Sequence, residues 1–181
     1  MILGLKKNEV KIVPYDNEWK NEFKRVRSEI IEHTNIQFDR IQHIGSTSID
    51  GIKAKPIIDI LMGVDDIDNI SESFLKEMRK AGFYRLRVER PAEIVFAKFT
   101  DDTFEVKTHF VHLVNYQEKK WCDLLFFRDY LNTNEEIKRQ YEKLKLNFLN
   151  SNLKGIDEYT TYKEQFVQSI FNKRIALAGD K

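Results

Sequence analysis

The run His43-Ile44-Gly45-Ser46-Thr47-Ser48 leads into Lys55-Pro56-Ile57-Ile58-Asp59-Ile60, so that Ser46 stands thirteen residues before a carboxylate set in apolar sequence. A Gly-Ser turn presents backbone N–H and hydroxyl donors suited to phosphate oxygens. A carboxylate on the following strand could hold a divalent metal, the other half of nucleotide chemistry. Strand alternation puts Ile57, Asp59 and Leu61 on one face and Ile58, Ile60 and Met62 on the other. Burying that acid ionised and uncompensated is costly. Asp59 is therefore expected to lie at a site edge, to meet a metal or to meet a cation. A plain ion pair or strand-end cap is the alternative.

Other residues could complete such a site. Lys53 and Lys55, just before the strand, either neutralise phosphate charge or are solvated loop lysines. Glu93, Glu105, His109 and His112 are further donors on nearby β-like runs. His112 shares a face with Val106, Thr108, Phe110 and Val114, where a lone imidazole is either a satisfied core residue or a ligand; His109 points the other way. The Arg128 guanidinium suits bidentate contact with phosphate or carboxylate. It sits beside Asp129, but helix neighbours point about 100° apart, so the two are not expected to pair. Arg128 then either faces a cleft or locks the helices to the sheet.

The elements that must position these groups are legible in the hydrophobic pattern. Glu9 to Val13 reads as a β-like run closed by Pro14, and Asp16 as the cap of a helix whose Trp19, Phe23, Val26 and Ile30 form one apolar stripe. Strands are expected over Phe38–Ile44 and over Pro56–Val64, the latter apolar on both faces and hence central. A helix over Ser71–Lys80 stops at Gly82. Runs at Phe83–Val88, Glu93–Phe99 and Phe104–Val114, punctuated by Pro91 and Asp101-Asp102, suggest an antiparallel meander. Helices follow over Trp121–Leu131, over Thr133–Asn150 with a Thr133/Glu136 capping box, and from Asp157 onward, with a loose tail beyond Ala176. One α+β domain over residues 1–181 results, mainly sheet through 114 and mainly helical from 115.

Composition sets the outer limits. Thirty Lys+Arg against 29 Asp+Glu give a net charge of +1, so no global basic field points to nucleic acid. The single cysteine, Cys122, rules out an intrachain disulfide and a cysteine-rich metal site. The N-terminal run is too short for a signal peptide and nothing resembles a membrane span, so a cytoplasmic setting is expected.

The string HIGSTSIDGIKAKPIIDI resembles the GrpB family, also called UPF0157, which belongs to the nucleotidyltransferase-like superfamily. The likeness extends through Thr108–Leu113, the Leu-x-Phe-Arg-Asp-Tyr-Leu stretch around Arg128, the strand lysine Lys98 and the pair Tyr159/Lys163, and spans Val13 to Phe166. It implies an α+β, nucleotidyltransferase-like mixed sheet with flanking helices and a C-terminal helical part. It further implies phosphate contacts from Gly45, Ser46, Thr47, Ser48, Lys55, Lys98 and Arg128, and Mg²⁺ on Asp59 and His112. The implied reaction moves a nucleoside monophosphate from a triphosphate to an acceptor, with Asp59 catalytic. The alternative is a non-catalytic module binding a nucleotide or other phosphorylated small molecule. One departure favours that alternative: Leu61 stands where the superfamily motif has its second acid. Phe110 also stands in place of the family's middle histidine and breaks a His-x-His pair.

Overall fold

A computed structural model of the chain describes residues 1–88, 90–151 and 155–179. Its centre is a six-stranded mixed sheet of β1 (Leu5–Lys6), β2 (Ile41–Ile44), β3 (Ile58–Val64), β4 (Tyr84–Arg85), β5 (Ile94–Phe99) and β6 (Val106–Asn115). The spatial order is β2-β3-β6-β5-β4, with β1 antiparallel to the start of β6. β3 pairs antiparallel with β2 and parallel with β6, while β4, β5 and β6 form the expected meander.

The faces of β3 are sorted as the alternation requires. Ile58, Ile60 and Met62 join the main core with Trp19, Phe23, Val26 and Ile30 of α1 (Glu18–Thr34) and Met78 of α2 (Glu72–Lys80). Leu61 lies on the opposite face with Ile44, Val114 and Trp121, the last from α3 (Lys119–Thr133). With α4 (Glu135–Leu149) and α5 (Ile156–Gly179), α3 forms a C-terminal helical layer around Phe127, Leu131, Tyr141 and Ile170, which closes over Ile49 and Ile52. This is the α+β arrangement expected, a mixed sheet followed by helices.

Local details depart from the sequence reading in four places. Glu9–Val13 is not a strand; only Val13 bridges Ala54, and the strand that pairs with β6 is Leu5–Lys6. Phe38–Arg40 is a 3₁₀ turn, so β2 begins at Ile41. The Thr133/Glu136 capping box does not form, because the Thr133 hydroxyl donates back to Asp129 and Tyr130 carbonyls and closes α3, leaving Asn134 to begin α4. The last helix continues past Ala176 to Gly179, and residues 180–181 of the expected tail lie outside the described residues. Asp16 does cap α1, its Oδ1 accepting the Glu18 N–H at 2.9 Å, and Ser71 caps α2 through the Phe74 N–H.

Candidate functional site

Strand register assembles the site. Asp59 and His112 sit two residues apart along the parallel β3–β6 pair, since Asp59 faces Phe110 and Leu61 faces His112. Paired residues share a face, so both side chains emerge on the side of the C-terminal helices. On β5, Val95 pairs with His112, and Glu93 two residues earlier extends the same face. The outcome is a chain of contacts. His112 Nε2 lies 3.5 Å from Asp59 Oδ1, and His112 Nδ1 lies 2.6 Å from Glu93 Oε1. Glu93, its side chain only 3% exposed, also receives Lys120 Nζ at 2.7 Å and Arg90 Nη1 at 3.3 Å.

The turn that leads into β3 fits closely against this chain. Gly45 has φ +70° and ψ −173°, a region essentially reserved for glycine. A Cβ there would come within 2.3 Å of Asp59 Oδ2, so the turn is moulded on the carboxylate. The three hydroxyls then go separate ways. Thr47 is buried, 3.0 Å from His43 Nε2 and donating to the Ile57 carbonyl. Ser48 donates to the Gly45 carbonyl. Ser46 alone is turned toward the helices, donating to the Tyr141 hydroxyl at 3.3 Å. Thr47 and Ser48, expected to bind phosphate, therefore spend their side chains on the turn itself.

Two lysines close the site from the other side. Lys55, at the mouth of β3, and Lys163, on α5, both lie over the Tyr159 ring, their Nζ atoms 5.1 and 4.3 Å from its centroid. Sequence reasoning underrated Lys145, Tyr141, Glu93 and Lys120. Tyr141 is buried on α4, and Lys145, four residues on, is fully buried with its ammonium donating to the Lys53 carbonyl. A lysine on the buried face of a helix was the available signal.

The electrostatics follow from this crowding. Burial lowers the Lys55 and Lys163 pKa values to about 8, with repulsion from Lys163 adding to the effect on Lys55. Burial likewise takes Lys145 to about 7. For His112 burial also works against the charge, but the Asp59 and Glu93 carboxylates outweigh it and raise the pKa to about 9. Burial opposes the ionisation of Asp59 too, yet His112, Lys55 and Lys163 hold its pKa below the usual carboxylate range. Glu93 falls to about 2, burial again being overcome by His112 and Lys120.

Two expected contributors are elsewhere. Lys98 pairs with His109 in the β5–β6 ladder, on the face opposite Asp59; its ammonium binds Glu29 at 2.7 Å and the Ala81 carbonyl at 3.0 Å. Arg128 ties α3 to β2, donating to Gln42 Oε1 and the His43 carbonyl. Its Nε also reaches Asp129 Oδ1 at 2.7 Å, contrary to expectation: the long, flexible arginine side chain spans the angle that separates helix neighbours. His43 and His109 are buried on the α1 side, His43 stacked on Phe23, and burial lowers both to about 4.

The donor set does not suit magnesium. Mg²⁺ takes near-octahedral oxygen ligands and is held by carboxylates. Here the one carboxylate at the turn faces an imidazolium and two ammonium groups, and the position where a second acid would stand is Leu61, buried among Ile44, Val114 and Trp121. Among the described residues no group of three His, Cys, Asp or Glu side chains converges as a metal site.

Comparison with known proteins gives the following likenesses. A family model described as GrpB protein matches residues 9–173. The Glutamate-rich protein GrpB of Alkalihalophilus pseudofirmus is 40% identical over 173 residues, covering 95% of this chain and 99% of that protein. The crystal structure of conserved protein GrpB from Enterococcus faecalis superposes with a TM-score of 0.75 at 24% identity, over 90% of this chain and 96% of that one, and so shares the fold. The Cid1 poly(U) polymerase with MgGTP bound gives a TM-score of 0.47 at 15% identity, over 72% of this chain and 42% of that one. At that level the likeness carries no argument about activity.

Proposed function

The chain belongs to the GrpB family, and from that premise we propose that its Asp59 site binds a phosphate-bearing small molecule, a nucleotide being the leading class. One observation carries the reading: around Asp59 and Glu93 stand Lys55, Lys163, His112, Arg90 and Lys120, leaving the cluster about three positive charges in excess among the described residues. Lys55 and Lys163, both beside the Tyr159 ring, would clamp phosphate oxygens between them, and Ser46 would exchange its Tyr141 contact for one to the ligand. His112, held by Glu93, supplies a fixed positive charge beside Asp59. Within this reading Asp59 keeps the apo cleft from accumulating unbalanced charge.

Magnesium-dependent transfer of a nucleoside monophosphate, implied by the family resemblance, asks for a cage of several oxygen ligands. The donor set favours binding over transfer. A thermal-shift series with nucleoside mono-, di- and triphosphates, each with Mg²⁺ and with chelator, separates the two. The binding reading expects stabilisation in chelator, about 2.7 kcal/mol at a hundredfold excess over Kd. Stabilisation that appears only with Mg²⁺, accompanied by pyrophosphate release, would restore the transfer reading.

A further inference from the structure

Beside Asp59, on the same face of the sheet, stands a large ring that no core takes up. The parallel β3–β6 register puts Phe110 directly opposite Asp59, and the β5–β6 register puts Ala97 on its other side. Thr108 and His112, two residues away in each direction along β6, share that face. The immediate neighbours of the phenyl group are thus a carboxylate, a methyl, a hydroxyl-bearing side chain and an imidazole. Phe110 belongs to none of the three apolar clusters formed by the described residues, and its one aromatic contact among them is with His112, the ring centroids 6.4 Å apart at 48°. Phe23, Phe83, Phe96, Phe127 and Phe148 are by contrast buried. Phe110 and Asp59 are both partly exposed, so ring and carboxylate reach the solvent side by side.

We propose that Phe110 is the platform on which the planar base of a nucleotide stacks while its phosphate lies between Lys55 and Lys163. The inference rests on the phosphate reading of the Asp59 site and narrows the ligand from any phosphate ester to one that carries a flat aromatic group. Asp59 is common to both halves. It is the ladder neighbour of Phe110, and it is the carboxylate whose charge Lys55 and Lys163 stabilise. Adjacent strands lie about 4.8 Å apart, so the ring is one strand away from that carboxylate, a span that a nucleoside monophosphate covers. Stacking on an aromatic side chain tolerates any base, because every base has a π-face. Phe110 therefore selects for the presence of a base and not for its identity. A sugar phosphate without a base would engage the lysines and leave the Phe110 ring in water.

The test compares adenosine 5′-monophosphate with ribose 5-phosphate by calorimetric titration of the full chain, in chelator and at matched ionic strength. The nucleotide is expected to bind at least about tenfold tighter. In Phe110→Leu, which keeps an apolar side chain but removes the ring, that preference should fall below about threefold, the loss falling on the nucleotide. Phe110→Tyr keeps the ring and should keep the preference, and in Lys163→Met both affinities should fall together. A urea melt of each variant verifies that it folds. If ribose 5-phosphate binds as tightly as the nucleotide, or if Phe110→Leu keeps the preference or weakens both ligands equally, the base platform is wrong while the phosphate site stands. If neither ligand binds, the phosphate reading itself fails and this inference goes with it.

Discussion

At position 45 only glycine serves both backbone and site. Its φ of +70° excludes other residues, and its missing side chain is the space that Asp59 Oδ2 occupies. Gly45→Ala should therefore cost about 1–3 kcal/mol in strain alone, more once Asp59 is displaced, and should weaken nucleotide binding, as urea melts and titrations would show. Asp59→Asn separates two chemistries. If the carboxylate balances His112, Lys55 and Lys163, the apo protein loses about 1–3 kcal/mol while chelator-resistant phosphate binding tightens several-fold. A metal ligand would give the reverse, an almost unchanged apo stability and weaker binding. The pH dependence of His112 is equally specific. Its pKa is raised from 6.5 to about 9, so its contribution to stability is complete below 6.5 and disappears as pH rises through about 9. Glu93 behaves oppositely, contributing fully above 4.5 and losing that as pH falls through about 2. Imidazole resonances followed by NMR should show His112 titrating near 9 and His43 and His109 near 4; a His112 midpoint at 6.5 would remove the imidazolium from the site. Asp59, Gly45 and Ser46 could be singled out in the sequence because a carboxylate in an apolar strand and a Gly-Ser turn are local signals, whereas the sequence left His112 open between a core residue and a ligand. Lys98 could not be placed, since the face it takes depends on a ladder register with His109 that no local pattern reveals.

Elements whose periodicity was unbroken came out as the pattern indicated. The four stripe residues of α1 are buried, and Phe23 stacks on His43 with ring centroids 4.8 Å apart. Phe23→Ala should cost about 3–5 kcal/mol in a urea melt, and a loss within about 1 kcal/mol would contradict a core role. Since His43 sits four residues before Thr47 and hydrogen-bonds it, the same substitution should also loosen the turn, seen as faster amide exchange at Thr47 and Ser48. β3 was legible because a run apolar on both faces must be covered on both. Short elements were not. Leu5–Lys6 and Tyr84–Arg85 are two-residue strands defined by their partners, not by their own alternation. The Thr133 cap failed because the same hydroxyl had a closer use one turn back in α3. Local rules name what a residue is able to do, and tertiary geometry selects among the options.

Over the whole molecule the site draws on parts far apart in sequence: the β2–β3 turn, β6, the start of β5, and Tyr159 and Lys163 from α5. A chain of net charge +1 thus carries a local excess of positive charge around Asp59 and Glu93. Phosphate binding should consequently weaken with added salt, though less steeply than at an open surface, because the cluster is half-buried and screening falls off inside the protein. Titrations over a range of ionic strengths would show this, and a salt-independent affinity would argue against charge as its basis. The parallel pairing of β3 with β6 has a further consequence, for the order of folding. Two parallel neighbours cannot be joined by a tight turn; here α2 and the β4–β5 hairpin lie between them. Asp59 and His112 cannot meet until that long loop has closed, and the closure entropy is lost before the pairing returns anything. Gly45 and Ser46 can be positioned by the β2–β3 hairpin alone, whereas the imidazolium arrives only with the late, non-local contact. In a refolding experiment, recovery of ligand binding should therefore lag behind formation of the α1 helix and coincide with the slowest step that protects β6 amides.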